Sequence, residues 1–329
     1  MNKLQQAQLF RELEKQFGTE IANAFLAAIA THANAVDVTA LAEAITAGDL
    51  PQVEFLLRFD QGTLFPLGEA IRTAFIQGGL SVAQTSGLGG LFGFNGRHDR
   101  ALQLIESQAG RLIEGIQTHT QAQVRAIMAA GVENGTSGAT LARQITGKLN
   151  RITGRREGGF LGLTSQQTDW AISARAELTR LDPHYFTRVQ RDRRFDAMVR
   201  KAIDSGKPLS ASDIDRIAGR YRDRLLKYRG ELIARHEAHS ALAAGQYEGN
   251  RQLHESGLAT VTKRWIHGFS KEPRLDHLAM SRAPQRPIDQ PFTFGIAAMQ
   301  YPHDPAGGIE HSANCKCTLY YRVTRNRQR

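Results

Sequence analysis

The chain has 329 residues, 41% of them hydrophobic and 22% charged, which is ordinary globular usage and excludes a wholly disordered or fibrous polymer. This length suggests about two domains of roughly 150 residues each. Lys and Arg outnumber Asp and Glu by 42 to 32, a net charge of +10, which favours an anionic partner.

The opening stretch MNKLQQAQLFRELEKQF alternates charged and apolar residues. It therefore reads as neither a secretory leader nor a membrane anchor. No later segment approaches the roughly 18 consecutive apolar residues that span a bilayer, so no membrane contact is expected. Residues 3–75 read as helices with short breaks, with Pro51 suited to the first helical position ahead of Val53, Phe55, Leu56 and Leu57. Seven glycines then fall within residues 78–96, a density expected to break a helix and to give a mobile or partner-ordered connection. No Gly-Lys-Ser/Thr follows them, which argues against a phosphate loop.

From Arg97 to about Leu149 the helical pattern returns, with Leu141, Ile145 and Leu149 spaced by four behind a turn at Asn134 to Gly138 and expected to face a core. A second glycine cluster, residues 155–164, reads as a flexible apolar loop suited to docking. It opens a helix from about Ser165 to Leu181, which Asp182 and Pro183 end. Leu209, Ser210, Asp213 and Ile214 form a capping box inside a hydrophobic staple, so a helix starts there. Ile214, Ile217, Ala218, Tyr221, Leu225 and Tyr228 line one side of it, while Arg216, Arg220, Arg224 and Lys227 recur on another. Residues 188–229 carry thirteen Arg or Lys against six Asp, and the tail adds Arg322, Arg325, Arg327 and Arg329. Clustered cations of this kind suit the phosphates of double-stranded DNA, bound without sequence specificity.

After Gly257 the texture changes to strand-forming residues at 260–266, 292–294 and 318–323, separated by a proline-rich extended loop at 282–291. The expected fold class is mainly α with a small C-terminal α+β module of short antiparallel strands. Its expected division is an N-terminal helical region at 1–96, a helical partner-contacting region at 97–229 and the α+β module with a basic tail at 230–329.

The module holds an ordered polar series: Arg235, His236 and Glu237 on the helix, then Trp265, Glu272, Arg274, His277, Pro302, Asp304 and Pro305, and last Asn314, Cys315, Lys316 and Cys317. The series resembles the head morphogenesis domain of Mu-like phage minor head proteins over about residues 230–323. The glycine-rich segment at 158–164, with its flanking helices, is similar to that family's upstream half. The chain departs from the family pattern at His236, Glu272 and Lys316, and lacks the glycine usual a few residues after His277.

The resemblance implies a structural protein of a tailed phage or prophage, present in few copies and attached at the portal vertex. It would act in head assembly, DNA packaging or delivery. Its partners would be the portal protein, the major capsid or scaffold protein and duplex DNA, and its place the virion, after assembly in the host cytoplasm. No catalytic residue and no obligate cofactor are expected. Arg235, Glu237, Trp265, Arg274, His277, Asp304, Asn314, Cys315 and Cys317 would be structural, hydrogen-bonded braces of loops on a small sheet. Arg235 is a candidate ion-pair partner of Glu272 or Asp304.

Cys315 and Cys317 are too close in sequence for an unstrained disulfide, and a reducing compartment suits them. With His277, and His303 or His311, they form a conceivable zinc site, although one intervening residue is a poor clamp and buried thiols behave as small hydrophobes. The enzymatic alternative is an ADP-ribosyltransferase-like or metal-dependent activity built on Arg235, Glu237, His277, Asp304 and Glu310, residue types suited to acid/base work.

Overall fold

The computed structural model describes residues 1–133, 135–268 and 272–326. Expectations that fall on Asn134, Arg327 and Arg329 lie outside them. In chain order the helices α1 (Lys3–Ala35), α2 (Val38–Ala47), α3 (Leu50–Leu56), α4 (Gln61–Ser86), α5 (Asp99–Glu133) and α6 (Gly138–Thr146) precede a hairpin of β1 (Lys148–Asn150) and β2 (Arg155–Glu157). Helices α7 (Ser165–Arg180), α8 (Asp196–Ser205) and α9 (Ala211–Glu255) follow. The C-terminal module runs β3 (Ala259–Ile266), α10 (Leu275–Arg282), β4 (Arg286–Pro287), β5 (Phe292–Phe294), β6 (Ala297–Met299), α11 (Gly308–Ser312) and β7 (Thr318–Arg325). The fold is thus mainly α with a small antiparallel α+β module, as expected. No single helix among the described residues is long and apolar enough to cross a membrane.

Two compact units are present, and neither is one consecutive stretch. One comprises Met1–Ala24, Leu67–Arg111 and Glu231–Arg329, the other Phe25–Pro66 and Leu112–Gly230. The boundaries expected at 96 and 229 cut the chain into consecutive stretches, whereas each of these units combines separate segments of it. Residues 67–111 belong with the C-terminal module because α4 and α9 pack there.

That packing corrects the reading of the first glycine cluster. Gly78 and Gly79 lie inside α4 rather than in a mobile connection. A Cβ on Gly78 would stand 2.5 Å from the Leu242 carbonyl oxygen of α9, and one on Gly249 would stand 3.0 Å from the Gly79 oxygen. The glycines let two helix backbones cross at closest approach, and that packing offsets the roughly 1 kcal/mol that each glycine costs a helix. The remaining glycines, from Gly87 to Gly96, form turns that bury Leu88 and Phe92 and set Phe94 against Phe75, ring centroids 6.2 Å apart.

In the same unit β3 is the centre of a three-stranded sheet of order β4-β3-β7, with Lys263 opposite Tyr321 and Trp265 opposite Leu319. Pro287 sits on the edge strand β4, where a missing N–H costs no ladder bond. The other edge, β7, is satisfied by a side chain. Gln6 of α1 donates to the Tyr321 carbonyl at 2.9 Å and accepts the Tyr321 N–H at 3.1 Å, copying a strand's pair of bonds.

The second unit corrects four details. Asp49 caps α3 by accepting the Gln52 N–H at 3.0 Å, so Leu50 takes the first helical position and Pro51 the second. Leu141 and Ile145 are buried, but Gly147 (φ 88°) ends α6 and turns Leu149 out onto β1, where it is 57% exposed. The 155–164 cluster is no docking loop: its first residues form β2, and Phe160, Leu161 and Leu163 are buried. Arg222 donates to the Gly158 carbonyl at 2.6 Å and lies 4.6 Å above the Phe160 ring, while Arg229 donates to the Gly162 carbonyl at 2.6 Å. Two members of the cationic run are thereby internal struts, and burial pulls both guanidinium groups down to about 10. A capping box forms at Thr164/Gln167, whereas at the start of α9 the Ser210 hydroxyl accepts the Asp213 N–H at 3.1 Å and donates to the Asp213 carboxylate at 2.7 Å, so the return bond goes to the hydroxyl rather than to the Ser210 N–H.

Candidate metal centre and cationic helix face

The module brings three soft or borderline donors together. His277 lies in the first turn of α10, and Cys315 and Cys317 lie on the segment that leads into β7; all three are buried. His277 Nδ1 is 3.6 Å from Cys315 Sγ and 3.5 Å from Cys317 Sγ. Three ligand atoms within 4.8 Å of one another make a candidate metal-binding cluster.

The surroundings fix this geometry. Asn314 takes a left-handed backbone (φ 54°) just before the Cys-Lys-Cys segment, whose two sulfurs lie within 4.8 Å of each other. Arg274 reaches from the residue before α10 to the Ala313 carbonyl at 2.7 Å, tying the helix start to that turn. The carbonyls of both cysteines are taken by imidazoles, His303 Nε2 donating to Cys315 at 2.9 Å and His239 Nε2 to Cys317 at 2.8 Å. The two rings stack with centroids 4.3 Å apart. Burial, then the His239 charge, pushes His303 well below the usual imidazole range. Hydrogen bonding between the paired sulfurs favours the thiolate on Cys317 and the thiol on Cys315. The fully buried Trp265 indole N–H has no hydrogen-bond partner in ordinary geometry, yet it too favours the Cys317 thiolate. Its ring meets His277 edge-on at 5.2 Å.

On the far side of the His277 ring, Nε2 is 3.1 Å from His311 Nδ1. His311 Nδ1 is also 3.5 Å from an Asp276 carboxylate oxygen. One ring nitrogen cannot accept from His277 and donate to Asp276 at once, and the shorter distance favours the histidine pair.

The other expected site residues fall elsewhere. Arg235 is exposed and forms no ion pair with Asp304, whose carboxylate instead accepts the backbone N–H of Gln300 (2.7 Å) and Ala306 (3.0 Å) and caps the turn Pro305–Gly307. Glu237 is buried against Gln108, which donates to it at 2.9 Å, and burial raises its carboxyl. Glu310 and Glu272 are exposed, and His303 serves a carbonyl rather than the sulfurs. Of the five residues of the enzymatic alternative, only His277 belongs to this cluster.

Two features carried weaker sequence signals. His239 stands among the small apolar residues of α9, where its spacing marks it as buried. Lys263 alternates with Val261 and Trp265 on the inward face of β3 and is fully buried, donating to the Gln300 carbonyl at 3.0 Å over the Tyr247 ring. Burial pulls its ammonium down to about 7.

In the second unit Arg216, Arg220, Arg224 and Lys227 are all exposed on α9, as expected. Arg216 pairs with Asp213 at 2.6 Å, and Arg220 lies 3.7 Å from Asp223 and 3.9 Å from Glu157. Neighbouring cations are more firmly committed: Arg188 to Glu177, Arg191 to Asp196 and Arg194 to Asp192. The outward charge is therefore smaller than the thirteen cations of residues 188–229 suggest. Comparison with known proteins found no family model, curated protein or solved structure that matches this chain.

Proposed function

We propose that this chain is a structural minor head protein of a tailed phage or prophage, acting at the portal vertex in head assembly, DNA packaging or delivery. The observation that carries this reading is the ordered series from Trp265 to Cys317. Its members fold into one small module in which Arg274, Asp304 and Asn314 bind or turn the module's own loops. Polar groups spent on internal bracing suit a scaffold better than a reaction centre. The exposed row of Arg216, Arg220, Arg224 and Lys227 supplies the face for packaged duplex, with the portal and the capsid or scaffold protein as protein partners.

Four phosphate contacts from this row give a slope of log K against log salt of about −3.6, independent of base sequence. Titrating the full chain with unrelated duplexes across a salt series measures it, and R224E together with K227E lowers the slope by about 2. Salt-insensitive binding, or none, removes the DNA contact. Mass spectrometry of purified particles tests the virion role, and absence of the chain from them removes it.

A further inference from the structure

We propose that His277 Nδ1, Cys315 Sγ and Cys317 Sγ together bind one zinc ion, which ties α10 to the segment entering β7. Zinc holds sulfur at about 2.3 Å and imidazole nitrogen at about 2.0–2.1 Å, and a tetrahedral angle between them sets S and N about 3.6 Å apart. The two distances observed are 3.6 and 3.5 Å. Both nitrogen-to-sulfur separations thus match what the ion demands, and the two sulfurs lie within 4.8 Å of each other, although a single residue lies between the cysteines.

The surrounding groups suit a thiolate-bound cation. Bonds from His303 and His239 occupy the peptide carbonyls of Cys315 and Cys317 and hold the segment in place. The Trp265 indole N–H, buried and without an ordinary partner, is a donor available to a metal-bound thiolate. His277 must present Nδ1 as a lone pair to the ion, which puts its ring proton on Nε2, and that proton has an acceptor in His311 Nδ1 at 3.1 Å. Metal-ligating histidines commonly donate their other N–H in this way, which fixes tautomer and ring orientation. His311 is therefore a positioning residue. The alternative oxygen-and-nitrogen set of Asp276, His277 and His311 is more exposed and needs the same imidazole. Buried thiolates are softer ligands and prevail for zinc. Both sulfurs bind as thiolates, so the proton shared by the pair is released to solvent, with no change of oxidation state.

The proposal does not depend on the virion role, and its test leaves that role untouched. Full-length protein, purified with reductant and without chelator, is expected to carry about one zinc per chain by elemental analysis. After the zinc is stripped, Co2+ is expected to give a sulfur-to-cobalt charge-transfer band in the near ultraviolet and intense tetrahedral bands in the visible. C317S, a near-isosteric change, weakens the charge-transfer band, whereas H311A keeps the band and lowers affinity about 10–100-fold, with H311N restoring part of it. Zinc added to the stripped protein raises its melting temperature, by mass action on the folded state. Substoichiometric metal in protein with both thiols reduced overturns the proposal. So does a cobalt spectrum without the thiolate band, or a band that C317S leaves unchanged.

Discussion

Substituting Gly245 by alanine tests the helix crossing directly. In an open helix this change gains up to roughly 1 kcal/mol, because alanine has the best helix propensity. At Gly245 the added methyl would overlap the Phe75 carbonyl oxygen, and it would stand 2.9 Å from that carbonyl's carbon and 3.0 Å from the Gly79 nitrogen. These obstacles are all backbone, so no side chain can rotate away and α4 must move off α9. Overpacking of this kind typically costs about 1–3 kcal/mol, more where backbone has to shift. The expected net effect is a loss of about 1–2 kcal/mol, or roughly 2–8 °C in melting temperature at roughly 2–4 °C per kcal/mol for a unit of this size. Gly110 in α5 is the control, since a Cβ there meets nothing within 4 Å. G110A should be neutral or stabilising by up to roughly 1 kcal/mol. Thermal unfolding followed by circular dichroism, with a urea series for both variants, reads the difference. If G245A proves as stable as the parent, the close crossing does not exist in solution and the glycine cluster resumes its reading as a loose connection.

Gln6→Ala leaves both polar groups of Tyr321 without their partner at a buried sheet edge. A loss of about 1–3 kcal/mol is expected in urea unfolding, with faster amide exchange at Tyr321, and unchanged exchange there would contradict the role given to Gln6. In the other unit burial lowers His32, opposed by its bond to the Leu57 carbonyl and by Asp60. The unfolded chain therefore binds the proton first. The stability that comes from keeping His32 neutral is complete above the unfolded value of 6.5, and it is lost as pH falls from there toward the folded value. The slope reaches at most about 1.4 kcal/mol per pH unit. Denaturant unfolding of the parent and of H32Q between neutral and mildly acid pH should differ by that slope, and parallel profiles would refute it.

Much of the fold is legible locally. The Ser210/Asp213 cap, the apolar and basic stripes of α9 and the alternating strands of the module depend on neighbours within a few residues. What was misread depends on distant partners. The glycines at 78 and 79 look helix-breaking until the backbone at Leu242 is placed against them. The cations at 222 and 229 look solvent-facing until the carbonyls of Gly158 and Gly162 reach them. The cysteine pair marks its own neighbourhood, and His277 follows from spacing in an ordered motif. The carbonyl bonds from His239 and His303, by contrast, join residues 78 and 12 positions apart, and no local pattern announces them.

The interleaved segments also set an order of events at the ribosome. The unit made of Phe25–Pro66 and Leu112–Gly230 is fully synthesised before any of Glu231–Arg329 has appeared. At the roughly 5–20 residues per second of translation, that last stretch takes roughly 5–20 s to emerge. Over that interval Gly78 and Gly79 await the backbone they are shaped to meet, and the apolar residues beside them lack their final cover. A nascent chain paused near residue 230 would therefore present one finished body and one sticky remnant, a natural moment for a chaperone to bind.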